Sequence, residues 1–292
     1  MPVSEISAAA AGNITLGDLK VNRLGYGAMR ITGKGIWGPP EDRKAAIRTL
    51  KRAVELGVNF IDTADSYGPY ISEELIAEAL APYTEGTVIT TKGGWERPGP
   101  GQWTHNSSPQ HLREAVEGSL KRLRLEQIDV YQLHTPDLAV SFEASMEALA
   151  EMQRAGKIRH IGLSNVTREH IERARKMVDI VSVQNRYSFA DREWDYVLEY
   201  CAAHGIAFLP WAPLSGGRKA HELLQQIATK LNATPQQVAL AWLLKRSPVM
   251  LPIPGTSSVA HLEENVAAAS LDLPDADFQA LSEVQPPPVS YR

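Results

Sequence analysis

Asp62, Tyr67, Lys92 and His134 could together perform proton chemistry. Asp62, Lys92 and His134 each end an apolar run, at 58–62, 87–92 and 128–134, and Tyr67 follows Asp62 by five residues. A phenol has a pKa of about 10, too high for an efficient acid near neutrality. A neighbouring cation favours the phenolate and lowers that value. Lys92 is such a cation, and a buried lysine needs a partner, which Asp62 can be. A tyrosine so tuned can protonate a carbonyl oxygen as hydride arrives, and His134 can hydrogen-bond the same oxygen. Alone, Asp62 reads as structural and His134 as a satisfied core histidine. The combination favours chemistry.

These residues need elements that hold them together. Apolar, β-rich runs occur at 24–29, 58–62, 87–92, 128–134, 158–164, 180–184, 207–211 and 249–253. Segments of helical period lie between and after them, at 44–56, 72–80, 109–123, 142–155, 168–177, 193–204, 222–231, 234–246 and 259–268. Such alternation, with no break in composition, predicts an α/β fold, a single (β/α)8 TIM barrel spanning 1–292. A β-hairpin at 14–21 precedes the first strand, extra helices fall near the C-terminus (the last at 275–284), and 1–13 and 285–292 read as loose tails. The rival open sheet needs a Gly-x-Gly-x-x-Gly turn after its first strand. Gly25 and Gly27 instead lie inside that strand, with no third glycine at the right spacing. In a barrel, chemistry sits at the C-terminal strand ends. Those ends are Asp62, Lys92, His134, Ser164–Asn165, Gln184 and Trp211.

Composition narrows the function. Lys plus Arg is 30 and Asp plus Glu is 34, a net charge of −4, which offers no general attraction to nucleic acid or an anionic membrane. Cys201 is the single cysteine, so no intrachain disulfide or cysteine metal cluster can form. The histidines show no metal-binding spacing, so no metal is expected. No secretory signal and no long apolar run is visible, and the expected compartment is the cytoplasm.

The run from Asn59 through Asp62, Asp65 and Tyr67 to Gly68 resembles the aldo-keto reductase signature. So do Thr90-Thr91-Lys92, Leu133-His134, Ile161-Gly-Leu-Ser164-Asn165, Val183-Gln184-Asn185, and Ile253-Pro-Gly255-Thr-Ser257 leading to Glu263-Glu264-Asn265. The motifs fall in family order and cover about residues 14–268. The resemblance implies a catalytic tetrad of Asp62, Tyr67, Lys92 and His134, with Tyr67 as the acid–base. It also implies a nicotinamide cofactor. Ser164, Asn165 and Gln184 would bond the carboxamide, and Trp211 would stack on the ring. The segment carrying Ala212, Leu214 and Gly216 would follow the pyrophosphate, as would Gly255, Thr256 and Ser257, while Glu264 and Asn265 would contact adenine. Members specialised for NADPH often carry Lys and Arg where this chain has Gly255 and His261. Ser257, Ser258, His261, Arg218 or Lys219 remain to bind a phosphate, so the expected cofactor is NADPH, with NADH possible.

Trp37, Trp95 and Trp103 lie on predicted mouth loops and would suit a flat or apolar carbonyl compound. The strings 22–29, 160–166 and 254–262 are similar to pyridoxal reductase-like bacterial members, which makes pyridoxal the leading substrate; sugar and aromatic aldehydes stay open. The expected partner is a small-molecule carbonyl compound, and the expected state a monomer or small homo-oligomer. Two other readings compete: a lyase or aldolase using Lys92 as a Schiff base, and a cofactor-holding barrel without turnover.

Overall fold

A computed structural model describes residues 6–213 and 218–284. Its first strands form the antiparallel hairpin β1 (Asn13–Leu16) and β2 (Leu19–Asn22), turned at Gly17, whose φ of 63° suits glycine. The barrel strands follow: β3 (Tyr26–Gly27), β4 (Phe60–Asp62), β5 (Val88–Gly93), β8 (Ile128–Leu133), β9 (Ile158–Ser164), β10 (Ile180–Arg186) and β11 (Ala207–Trp211). All are parallel, and they lie in chain order across one seven-stranded sheet.

The eighth run, at 249–253, is not a regular strand, yet it closes the barrel. Phe208 N donates to Val249 O at 2.8 Å and Leu251 N to Phe208 O at 2.8 Å. On its other side Gly25 N donates to Pro252 O at 2.9 Å and Gly27 N to Pro254 O at 3.4 Å. Pro252 and Pro254 accept but have no N–H to give, so the ladder on this side runs one way only. The first strand is likewise shorter than expected, because Ala28–Ile31 turn into a 3-10 helix.

Helices α1 (Arg43–Glu55), α2 (Ile71–Leu80), α3 (Pro109–Leu123), α4 (Phe142–Arg154), α5 (Arg168–Ala174), α6 (Asp195–His204), α7 (Arg218–Lys230), α8 (Pro235–Arg246), α9 (Val259–Ala267) and α10 (Asp275–Ser282) lie at the expected places, their ends shifted by up to a few residues. Their starts are written in caps: Asp42, Ser108, Ser141, Thr167, Thr234 and Ser258 each accept an amide N–H of the first turn. Residues 6–13, read as part of a loose tail, are instead held in place; residues 1–5 lie outside the described residues. Ala8–Ala11 form a 3-10 turn, Ala8 is buried, and its N–H donates to Leu56 O at 2.8 Å. Small alanine side chains let that turn dock closely. Residues 285–292 lie outside the described residues.

Period two along each strand sorts the side chains. Ile61, Ile89, Tyr131 and Leu133 face outward and are buried under helix residues such as Leu50, Ile76, Val116 and Leu149. Phe60, Val88, Val130 and Leu209 face inward, and Leu16, Leu19 and Val21 of the hairpin pack on them from the N-terminal end. Two residues further along the same inward rows come Asp62 after Phe60, Thr90 and then Lys92 after Val88, and Gln132 and then His134 after Val130. The barrel is therefore apolar at its base and polar at its mouth.

Candidate active site

At that mouth the Lys92 ammonium is fully buried. Its Nζ donates to Asp62 Oδ2 at 2.7 Å, to the Thr63 carbonyl at 2.7 Å and to the Tyr67 hydroxyl at 3.5 Å. An ammonium has three donors, so all are used. Asp62 Oδ1 accepts two amide donors, Gln184 Nε2 at 2.9 Å and Gln132 Nε2 at 3.2 Å. The carboxylate is thus satisfied on both oxygens and neutralises the lysine across neighbouring strands. Tyr67 and His134 stand edge to face above this pair, ring centres 5.9 Å apart at 84°. The Nδ1 of His134 is buried without a partner.

Burial decides the acidities. Burial raises the Tyr67 hydroxyl above the usual phenol range, although Lys92 pulls it the other way. The cation offsets part of that rise but does not bring the hydroxyl below the ordinary phenol value, where the sequence alone suggested it would lie. Burial also opposes the Lys92 charge, but Asp62 and Tyr67 outweigh it and hold the ammonium above its ordinary value. Burial, helped by Lys92 and then His105, pushes His134 well below the usual imidazole value. His134 is therefore neutral at neutral pH and can offer one N–H to an oxygen. Behind the strands Asp65 is buried, and burial raises its carboxyl well above the usual range.

A cavity of about 720 Å³ opens over Tyr67 and His134 and runs past Ser164, Asn165, Gln184, Trp211 and Ala212 to Gly255 and Asn265. Trp211 is 37% exposed at the end of β11, and its Nε1 donates to Asn165 Oδ1 at 3.1 Å, which fixes the ring's edge. Asn165 itself sits at φ 56° and donates to His134 O at 3.0 Å. The exposed indole, the carboxamides of Asn165 and Gln184, and the side-chain-free corner at Gly255 make a trough that fits a nicotinamide dinucleotide.

Other expected cofactor residues stand outside the cavity walls. The Thr256 carbonyl accepts the Tyr26 hydroxyl, and the Ser257 carbonyl accepts Thr49 Oγ1 at 3.1 Å. The His261 amide caps on Ser258 at the start of α9. The Glu264 carboxylate accepts Thr234 Oγ1 at 2.7 Å, so its side chain is committed to the start of α8. Leu214 and Gly216 lie outside the described residues.

The long segment after β5 is not an open loop. It folds back as the short hairpin β6 (Trp95–Glu96) and β7 (Thr104–His105) beside the mouth. Trp95 and Trp103 line the cavity with Ile36 and Met29; Trp37 does not. Trp37 instead bridges to Gly68 and lies 5.4 Å from the Arg97 guanidinium. Arg97 also stacks on Trp103 at 3.7 Å and donates to the carbonyls of Ile36 (3.0 Å), Ser66 (2.9 Å) and Gln102 (2.9 Å). It ties three mouth segments together. Sequence reading missed it, because a single arginine in a loop carries no pattern. Gln132 was also missed, although a signal was there: it is a polar residue on the inward row between Val130 and His134.

Among the described residues no cluster has the makings of a metal site, and no helix is long and apolar enough to cross a membrane. Cys201 is buried in α6, and burial pushes its thiol up to about 12.

A parallel barrel with a buried carboxylate–ammonium–phenol chain beneath an indole-walled trough defines a class of oxidoreductase. Residues 23–286 match the Aldo/keto reductase family, and the chain belongs to that family, whose enzymes act on small carbonyl compounds. It is 49% identical over 282 residues to an uncharacterized oxidoreductase of Schizosaccharomyces pombe, covering 96% of this chain and 92% of the relative. It is 47% identical over 280 residues to pyridoxine 4-dehydrogenase of Escherichia coli, covering 93% and 98%. Among solved structures, a thermostable aldo-keto reductase in complex with the inhibitor epalrestat superposes with a TM-score of 0.82 at 31% identity, covering 93% of this chain and 99% of that one.

Proposed function

We propose that this chain interconverts a carbonyl compound and its alcohol, working as a reductase with NADPH and with Tyr67 as the proton donor. The observation that carries this reading is the position of Lys92 Nζ, 2.7 Å from Asp62 and 3.5 Å from the Tyr67 hydroxyl, beneath the cavity. The dinucleotide, when bound, supplies the hydride. Tyr67 passes its proton to the carbonyl oxygen, and Lys92 stabilises the phenolate left behind. Asp62 keeps the lysine charged and in place. His134, neutral, donates an N–H to the same oxygen and orients the substrate. Ser164, Asn165 and Gln184 would hold the carboxamide, Trp211 would stack on the ring, and Asn265, on the cavity wall, would contact the adenine.

The Schiff-base alternative loses its support. Lys92 is absent from the cavity wall and all three of its protons are engaged. As substrate we favour a flat aromatic aldehyde, because Trp95, beside His134, and Trp103 and Met29 all wall the same cavity. Pyridoxal is the leading candidate, supported by the likeness to pyridoxine 4-dehydrogenase. The test is NADPH oxidation with pyridoxal and 4-nitrobenzaldehyde. Tyr67→Phe should abolish turnover and leave NADPH binding nearly intact. Unchanged turnover refutes the assignment.

A further inference from the structure

We propose that Arg30 binds a phosphate of the dinucleotide. This rests on the cavity being a dinucleotide site. Gly27 and Gly255 meet backbone to backbone where the barrel closes. A Cβ on Gly255 would stand 2.6 Å from the Gly27 carbonyl oxygen, and a Cβ on Gly27 would stand 2.6 Å from the Ile253 carbonyl oxygen. No side chain, and so no cation, can project from position 255 without moving backbone. The stem of Arg30 lies over this gap: its Cγ is 3.5 Å from where that Cβ would be.

The stem is held by a fixed base. Arg30 belongs to the 3-10 turn Ala28–Ile31. Ser72 Oγ donates to the Ala28 carbonyl at 3.0 Å, and Thr32 Oγ1 to the Met29 carbonyl at 2.9 Å. Arg30 itself is exposed, lines the cavity, and makes no hydrogen bond, ion pair or ring contact among the described residues. Among the described residues walling the cavity it is the one arginine or lysine. Lys92 and Arg97, by contrast, are both engaged. A guanidinium fork left unpaired at a cavity rim is suited to an oxyanion. Its place, beside the backbone that follows the last barrel segment, is where barrels commonly hold phosphate. A phosphate in that common position is one of the dinucleotide's, either its diphosphate or its 2′-phosphate.

Calorimetric titration of the full chain with NADPH and with NADH tests this. Lys34→Ala serves as the control, because it removes the same charge from an exposed site off the cavity wall. Arg30→Ala should weaken NADPH binding about ten-fold or more, the loss typical of a charge-assisted hydrogen bond, while Lys34→Ala should not. An equal loss for NADH places Arg30 on the diphosphate. A loss confined to NADPH places it on the 2′-phosphate. Unchanged NADPH binding by Arg30→Ala, or an equal loss in Lys34→Ala, overturns the proposal. A wild-type chain that binds neither dinucleotide refutes the reading of the cavity instead.

Discussion

Replacing Lys92 by Met tests how the charged pair under the cavity is held. The substitution keeps the unbranched stem up to the Cε position and removes the ammonium. Asp62 Oδ1 would keep its two amide donors from Gln132 and Gln184, but Oδ2 would lose the donor at 2.7 Å and with it the ion pair. Breaking a buried pair by removing one partner costs about 3–5 kcal/mol. Against a total stability of about 5–15 kcal/mol that is a large fraction. The double variant Asp62→Asn/Lys92→Met removes both charges and keeps an acceptor for the two glutamine amides. It should recover most of the loss, since replacing a buried pair whole is often near neutral. Urea unfolding followed by tryptophan fluorescence reads both. Both variants should be inactive, so stability and turnover separate. If the double variant is as unstable as the sum of its singles, Asp62 and Lys92 are not coupled and the account of the site's electrostatics fails.

Gln132→Leu removes one of two donors to Asp62 Oδ1 without touching the cavity wall. Turnover should fall about ten-fold or more, the worth of a hydrogen bond to a charged group, with NADPH affinity unchanged; a loss of affinity instead would contradict this positioning role. His134 gives a pH signature. Its folded value lies well below the unfolded one, so the unfolded chain binds more protons between the two. Its contribution to stability is therefore complete above about pH 6.5 and is lost as pH falls toward the folded value. Urea midpoints across that range should slope less in His134→Gln, and parallel slopes would refute it. Arg97→Ala frees the segments around Ile36, Ser66 and Gln102, and it should raise KM for the aldehyde while leaving the dinucleotide Kd in place. Equal changes in both constants would place Arg97 elsewhere in the chemistry.

Much of the barrel was legible because strand and helix periods are local. The inward rows Phe60-x-Asp62 and Val88-x-Thr90-x-Lys92 can be read from alternation, and capping residues such as Ser108 and Thr234 mark helix starts. The meeting of Asp62, Tyr67, Lys92 and His134 at one mouth was legible for the same reason, since each ends a strand or follows one. The irregular closure at 249–253 was not, because the two prolines matter only once Gly25 and Gly27 lie against them. Nor was the docking of Ala8–Ala11 on Leu56, which joins residues far apart in the chain.

The sequence by itself determined which residues could do the chemistry and that parallel strands would bring them to one mouth. Only the tertiary structure decided their acidities, because desolvation of Tyr67 and His134 depends on what surrounds them. It also separated side chains that share a motif. Glu264 turns to Thr234 while Asn265 faces the cavity, and Trp37 packs near Arg97 while Trp95 walls the pocket. Arg30 shows the same limit. An arginine after a short strand carries no signal until the close approach of Gly27 and Gly255 reveals the gap that its stem covers.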